Sequence, residues 1–198
     1  MDYLKKLGIA ALAVTALTAF VATGSASATT LETEGKARNQ ALGFTLSLES
    51  GQSTTFKTTG NQPLSTCTEA ELNGSTVANV GGTYTGPTVE GNVTVFFFNK
   101  CTNVTNVLRG GTLVFTWTKN TEGTLTWVGG EITIASILGD IICKPAAGGT
   151  VIGTITGVAK GNAVLDVNTA FNCGFVAPSV LWEGKFVFTS PTGLGIIN

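Results

Sequence analysis

Leu113-Val114-Phe115-Thr116-Trp117, followed a few residues later by Thr124-Leu125-Thr126-Trp127-Val128, decides the fold class of this chain. In both pieces large apolar residues alternate with small or polar ones, the period of a strand with one buried face. The stretch Lys119 to Gly123 lies between them, so the pair predicts an antiparallel hairpin with a five-residue loop and with Trp117 and Trp127 on the same side.

The same alternation recurs in Leu42 to Leu48 and in Trp182 to Phe188. Val93-Thr94-Val95-Phe96-Phe97-Phe98 carries apolar residues at both parities, which predicts a central strand covered on both faces. Turn signals separate these runs: Gly81-Gly82, Gly86-Pro87, Gly110-Gly111, Gly129-Gly130, Gly148-Gly149 and Gly161-Asn162. Their spacing is that of a sandwich or barrel, and no segment after residue 28 has a helical period. The expected fold is all-β, an antiparallel β-sandwich or partly open barrel of roughly ten short strands.

Residues 1–28 have the three parts of a cleaved secretory signal peptide: Lys5-Lys6, an apolar run from Leu7 to Val21, and the small residues Ala26-Ser27-Ala28. Cleavage is expected after Ala28, with secretion to the extracellular space and at most loose association with the cell envelope. The first cysteine is Cys67, so the residue a lipoprotein signal needs after its cleavage point is missing. Residues 29–40 are polar, with the charged residues Glu32, Glu34, Lys36 and Arg38 at alternate positions, and read as a flexible arm. Residues 41–198 are expected to form a single β domain.

The whole chain has 11 basic and 12 acidic residues, a formal net charge of −1, which gives no electrostatic footprint for nucleic acid. Charged residues make up 12% of it, about half the usual share, while Gly reaches 26 and Thr 33; the surface must therefore be built from neutral hydroxyl and amide groups. No integral membrane segment is expected after the signal, since no later apolar run is long enough to span a bilayer as a helix.

Cys67, Cys101, Cys143 and Cys173 are an even set in an exported chain, which argues for structural disulfides. Four cysteines allow three connectivities. The segments from Cys67 to Cys101 and from Cys143 to Cys173 resemble each other, each passing through a Gly-rich stretch and a Gly-Asn pair, Gly91-Asn92 or Gly161-Asn162. That likeness favours Cys67–Cys101 and Cys143–Cys173; a duplicated β unit and independent Gly-Asn turns both account for it.

Histidine is absent from the sequence. This removes the Ser-His-Asp and Cys-His arrangements and most zinc sites, and no catalytic residue is assigned. Carboxylate chemistry is what remains, with Glu90, Glu131 and Glu183 placed near strands, as a remote route to glycoside hydrolysis. No metal or cofactor is expected, because neither a calcium-loop pattern nor a phosphate-cradling loop occurs. Trp117, Trp127 and Trp182 are the candidate ligand-binding residues, as a platform for sugar rings; the competing reading buries them in the core.

The runs Cys67-Thr68-Glu69-Ala70-Glu71-Leu72-Asn73-Gly74, Phe98-Asn99-Lys100-Cys101-Thr102, Trp182-Glu183-Gly184-Lys185-Phe186 and Thr189-Ser190-Pro191-Thr192 resemble small secreted four-cysteine β-rich proteins of soil actinobacteria, which occur as paralogues. The resemblance spans Ser65 to Asn198. It implies export and a β fold and carries no catalytic or binding residue. The expected function is that of a non-enzymatic secreted or envelope-associated protein with a surface, matrix or adhesion role. An extracellular carbohydrate- or ligand-binding module is the alternative, and a carboxylate-dependent hydrolase the remote one. Expected partners are a polysaccharide, or a second copy pairing through the strand at Leu42 to Leu48.

Overall fold

The computed structural model describes residues 29–38, 40–77, 87–103, 108–135, 139–157, 161–175 and 177–197. The signal-peptide expectation for residues 1–28, and the turn expected at Gly81-Gly82, lie outside them. Fifteen strands occur among the described residues: β1 (Thr30–Thr33), β2 (Lys36–Arg38), β3 (Gly43–Leu48), β4 (Thr54–Thr58), β5 (Pro63–Thr76), β6 (Val89–Cys101), β7 (Leu108–Arg109), β8 (Thr112–Lys119), β9 (Glu122–Val128), β10 (Glu131–Ile134), β11 (Ile141–Cys143), β12 (Thr150–Thr156), β13 (Val164–Cys173), β14 (Ala177–Ser190) and β15 (Leu194–Ile197).

The expected antiparallel all-β fold is what forms, and its register resolves sandwich from barrel. β14 pairs with β13 on one edge and with β3 and β4 on the other, which closes a ring running β3/β4, β5, β6, β8, β9, β12, β13, β14. Each wall position is followed in sequence by its neighbour, an up-and-down barrel of eight positions. β3 and β4 share one position. Leu48 lies opposite Phe186 and Thr55 opposite Glu183, so the two strands meet successive parts of β14 and the loop between them turns out of the wall.

Two expected turns prove not to reverse the chain. Thr112 lies opposite Val128 and, three residues further along each strand, Arg109 lies opposite Glu131. The register therefore passes unbroken through Gly110-Gly111 and Gly129-Gly130, which face each other in mid-wall. All four have positive φ (57°, 102°, 66° and 109°), which strains any residue that carries a side chain, and at Gly111 space excludes one as well, since a Cβ there would come within 2.9 Å of the Gly129 carbonyl oxygen. The wall bends here without ending. The true reversal of this hairpin is the two-residue turn Asn120-Thr121, with Lys119 opposite Glu122, rather than a five-residue loop; Asn120 adopts the left-handed conformation such a turn needs.

β11 and β12 likewise continue one another, with an excess. Ile132 faces Cys143 and Trp127 faces Thr150, so five steps on β9/β10 are matched by seven on β11/β12. The extra residues bulge outward in a turn closed by Gly149 N–H donating to the Ala146 carbonyl at 2.8 Å.

The expected flexible arm is corrected: residues 30–33 and 36–38 are strands. β1 pairs with β15 and β2, and Leu31 is buried in the core together with Leu194 and Ile196 of β15. The Thr29 hydroxyl donates to the Pro87 carbonyl and accepts from Trp117 N–H, tying the lid to the wall. A second correction concerns Val93 to Phe98. β6 has neighbours along its edges, yet its outer face has no second layer: Val93, Phe96 and Phe98 point inward while Val95 is 47% exposed. A barrel wall has only one buried side.

Side chains of Phe44, Phe56, Phe96, Phe98, Phe171 and Trp182 fill the interior along with aliphatic neighbours. Close packing needs gaps for these rings. A Cβ on Gly74 would lie 2.6 Å from the Asn92 carbonyl oxygen, with the Phe44 ring on the same spot. Gly74→Ala should cost about 1–3 kcal/mol of overpacking, whereas Gly148→Ala, with open space around it and no positive φ, should be neutral. Urea midpoints of the two variants check this, and equal stability would refute the close Phe44 packing.

Candidate functional site

The favoured disulfide connectivity is the one found: Cys67–Cys101 and Cys143–Cys173. Counted by wall position the bridges join the second to the third and the sixth to the seventh, four positions apart around the ring. Their surroundings differ. Cys67 and Cys101 are directly opposed in a ladder that continues to Thr76–Gly91. Cys143–Cys173 crosses a seam where β12 pairs with β13 only from Gly153 to Thr156, and where the Lys144–Asn172 bridge is the pairing beyond it.

The candidate tryptophans do not make a surface strip. Trp182 is 1% exposed at the centre of the interior, stacked on Phe56 and Phe171 at 5.9 and 6.1 Å and edge-on to Phe98 and Phe186. Its indole N–H donates to the Thr54 hydroxyl at 2.7 Å, and that hydroxyl donates to the Glu183 carbonyl at 2.9 Å. Trp127 is also buried, edge-on to Phe171, with its N–H directed at the Gly110 carbonyl at 3.3 Å. Trp117 is half-buried near the lid and donates to the Asn120 carbonyl. The same parity that placed Trp117 and Trp127 on one face puts that face inside.

The interior gap bounded by Leu72, Val93, Phe96, Leu113, Trp127 and Trp182 is too narrow to seat a water molecule. Two clefts on the outside are formed by described residues. One, about 420 Å³, lies where β11/β12 bulges from the wall and is lined by Gly129, Gly130, Pro145, Ala146 and Ala147 together with the Glu131–Lys144 ion pair at 3.6 Å. The other, about 250 Å³, lies where the β3–β4 loop leaves the wall, beside Leu48, Glu69, Glu71 and Phe97. Neither was visible in the sequence, because each is made by a register excess between strands.

The carboxylates are dispersed. Glu90 is on β6, Glu131 on β10 and Glu183 on β14, no two on adjacent wall positions. Glu131 and Glu183 each pair with a lysine, Lys144 and Lys57, as Glu49 does with Lys185 at 3.2 Å. Such exposed pairs contribute at most about 1 kcal/mol each. Among the described residues no three acidic or cysteine side chains gather to hold a metal ion.

No match was found for this chain among protein-family models, curated proteins or solved structures. The site must be read from its own chemistry. Among the described residues no helix is long and apolar enough to cross a membrane. The wall itself alternates apolar-in and polar-out: Thr116, Thr124, Thr154, Asp166 and Lys185 lie outward on five successive strands.

Proposed function

We propose that this chain is a non-enzymatic protein of the extracellular space or cell envelope, with a role in surface coating, matrix or adhesion. The observation that carries the reading is the interior packed with aromatic side chains, which leaves the outer wall as the working surface. Two disulfides fit an oxidising compartment, and the resemblance to secreted four-cysteine proteins of soil actinobacteria points the same way. A neutral Thr-rich exterior suits contact with hydrated polymer, where hydroxyl groups exchange water for polymer hydroxyls at little desolvation cost. Polysaccharide is the partner this surface chemistry favours. As an alternative, a discrete sugar-binding module would have to use Trp117 or one of the clefts, since Trp127 and Trp182 offer no exposed ring.

The test is co-sedimentation of the purified protein with washed actinobacterial cell envelopes, alongside assays on a panel of glycoside substrates. Saturable retention on envelopes with no turnover is expected. Full recovery in the supernatant, or turnover abolished by Glu131→Gln or Glu183→Gln, would sink the proposal.

A further inference from the structure

Three neighbouring strands place Ser47, Glu71 and Phe97 in one row across the outer wall: Ser47 of β3 lies opposite Glu71 of β5, and Glu71 opposite Phe97 of β6. Phe96 and Phe98 are buried, so alternation turns the Phe97 ring outward, where it is half-buried and lines the 250 Å³ cleft together with Ser47, Glu69 and Glu71. Directly opposed side chains on one face of a sheet stand about 4.5–5.5 Å apart at Cβ, which sets the Glu71 carboxylate beside the ring. The adjacent row holds that carboxylate in place. Thr45 Oγ1 donates to Asn73 Oδ1 at 2.7 Å, and Asn73 Nδ2 donates to Glu71 Oε1 at 2.8 Å. Ring and carboxylate are thus positioned before anything binds, which lowers the entropy that binding costs.

The two carboxylates of the cleft differ in charge balance. Glu69 is paired with Lys100, whereas no lysine or arginine among the described residues pairs with Glu71. A ligand that covers the ring also takes Glu71 out of water, which is costly for an unpaired charge and favourable when the ligand brings a cation. An ammonium is attracted to the face of the ring as well. The hydroxyls of Ser47 and Thr68 on the rest of the rim match sugar hydroxyls, which the bare stem of a lysine would leave unused.

We infer that this row is a subsite for an amino sugar, a hexosamine unit of a polysaccharide whose pyranose ring lies on Phe97 and whose ammonium pairs with Glu71. The inference rests on the polysaccharide contact proposed above and adds its place and its sugar. Phe97 takes the platform role that Trp127 and Trp182 cannot fill from inside the barrel. The strand expected to offer Leu42 to Leu48 to a second copy is hydrogen-bonded along both edges, to β5 and β14, and supplies Ser47 to this row instead.

Titration calorimetry of the purified protein against a glucosamine hexamer, its N-acetylated counterpart and a lysine hexapeptide tests the subsite. The glucosamine hexamer should bind, and acetylation, which removes the charge, should weaken binding about tenfold, the effect of losing a charge-assisted hydrogen bond. Glu71→Gln keeps the oxygen to which Asn73 donates and removes the charge, while Phe97→Ala removes the platform from an outward position. Each should lower affinity for the glucosamine hexamer about tenfold, with the native circular-dichroism spectrum retained. No binding of the glucosamine hexamer, equal affinity for the acetylated one, a lysine hexapeptide bound as tightly, or either variant binding like the wild type would overturn the subsite. Any of these beside intact retention on envelopes removes the subsite and leaves the envelope role standing; loss of retention with hexamer binding intact removes that role instead.

Discussion

Replacing Cys143 and Cys173 together by alanine is expected to lower the unfolding free energy by about 3.5 kcal/mol, the entropy a closed loop of this size removes from the unfolded chain. For a domain of this length that is a fall of roughly 10 °C in melting temperature. The Cys67–Cys101 loop is slightly longer, 34 residues apart against 30, so loop entropy alone makes the two losses nearly equal. What separates them is the wall around each bridge. β5 and β6 are paired along a ladder from Cys67–Cys101 to Thr76–Gly91 and should remain together without their disulfide. β11 and β13 meet through the bridge and the Lys144–Asn172 pairing, so the Cys143/Cys173 variant should open locally as well. Native-state hydrogen exchange is the deciding measurement: faster exchange at Ile141 to Cys143 and at Asn172 in that variant, with no counterpart around Cys67 in the other. Equal protection maps in the two variants would refute the seam.

Trp182→Ala should cost about 3–5 kcal/mol, the range for truncating a large aromatic side chain in a core that cannot collapse around the void. Five phenylalanine rings, Phe56, Phe96, Phe98, Phe171 and Phe186, have centroids within about 6 Å of the indole and are themselves locked by the wall. Trp182→Phe keeps part of the packing but leaves the Thr54 hydroxyl without its donor, so it should fall between alanine and wild type. Trp117→Ala, at a half-buried position by the lid, should cost distinctly less. Urea unfolding of the three variants orders them; a Trp182→Ala loss below about 1 kcal/mol would mean that the ring is not packed as described.

Much of this was legible in the residues. Alternation in Leu113 to Trp117 and Thr124 to Val128 marks two strands and their common face, because side-chain direction reverses at every step whatever the strand packs against. The cysteine pairing was readable from two similar segments that each return on themselves. The candidate site was not. Trp127 and Trp182 carry the same parity signal whether their face lines a core or a platform, and only the neighbours across the barrel decide. Val95 and Phe97 read as a covered face since apolar residues at both parities usually mean two packed layers; in a single-layer wall they simply remain outside. Gly110-Gly111 and Gly129-Gly130 read as turns because positive φ is all that a glycine pair announces, and a bend in mid-strand needs the same dihedrals as a reversal.

The sequence by itself determined an all-β chain, its apolar and polar faces, two loop-closing disulfides, and the loss of histidine chemistry, since each depends on residue type and near neighbours. Tertiary structure alone decided that β14 returns to β3 and β4 to close the ring, that residues 30–38 cover one end, and that a two-residue excess between Ile132–Cys143 and Trp127–Thr150 opens a cleft on the outer wall. The reason is physical: closure and register are set by backbone hydrogen bonds between strands, more than a hundred residues apart where the ring closes, and those groups are identical in every residue but proline, so they leave no local mark.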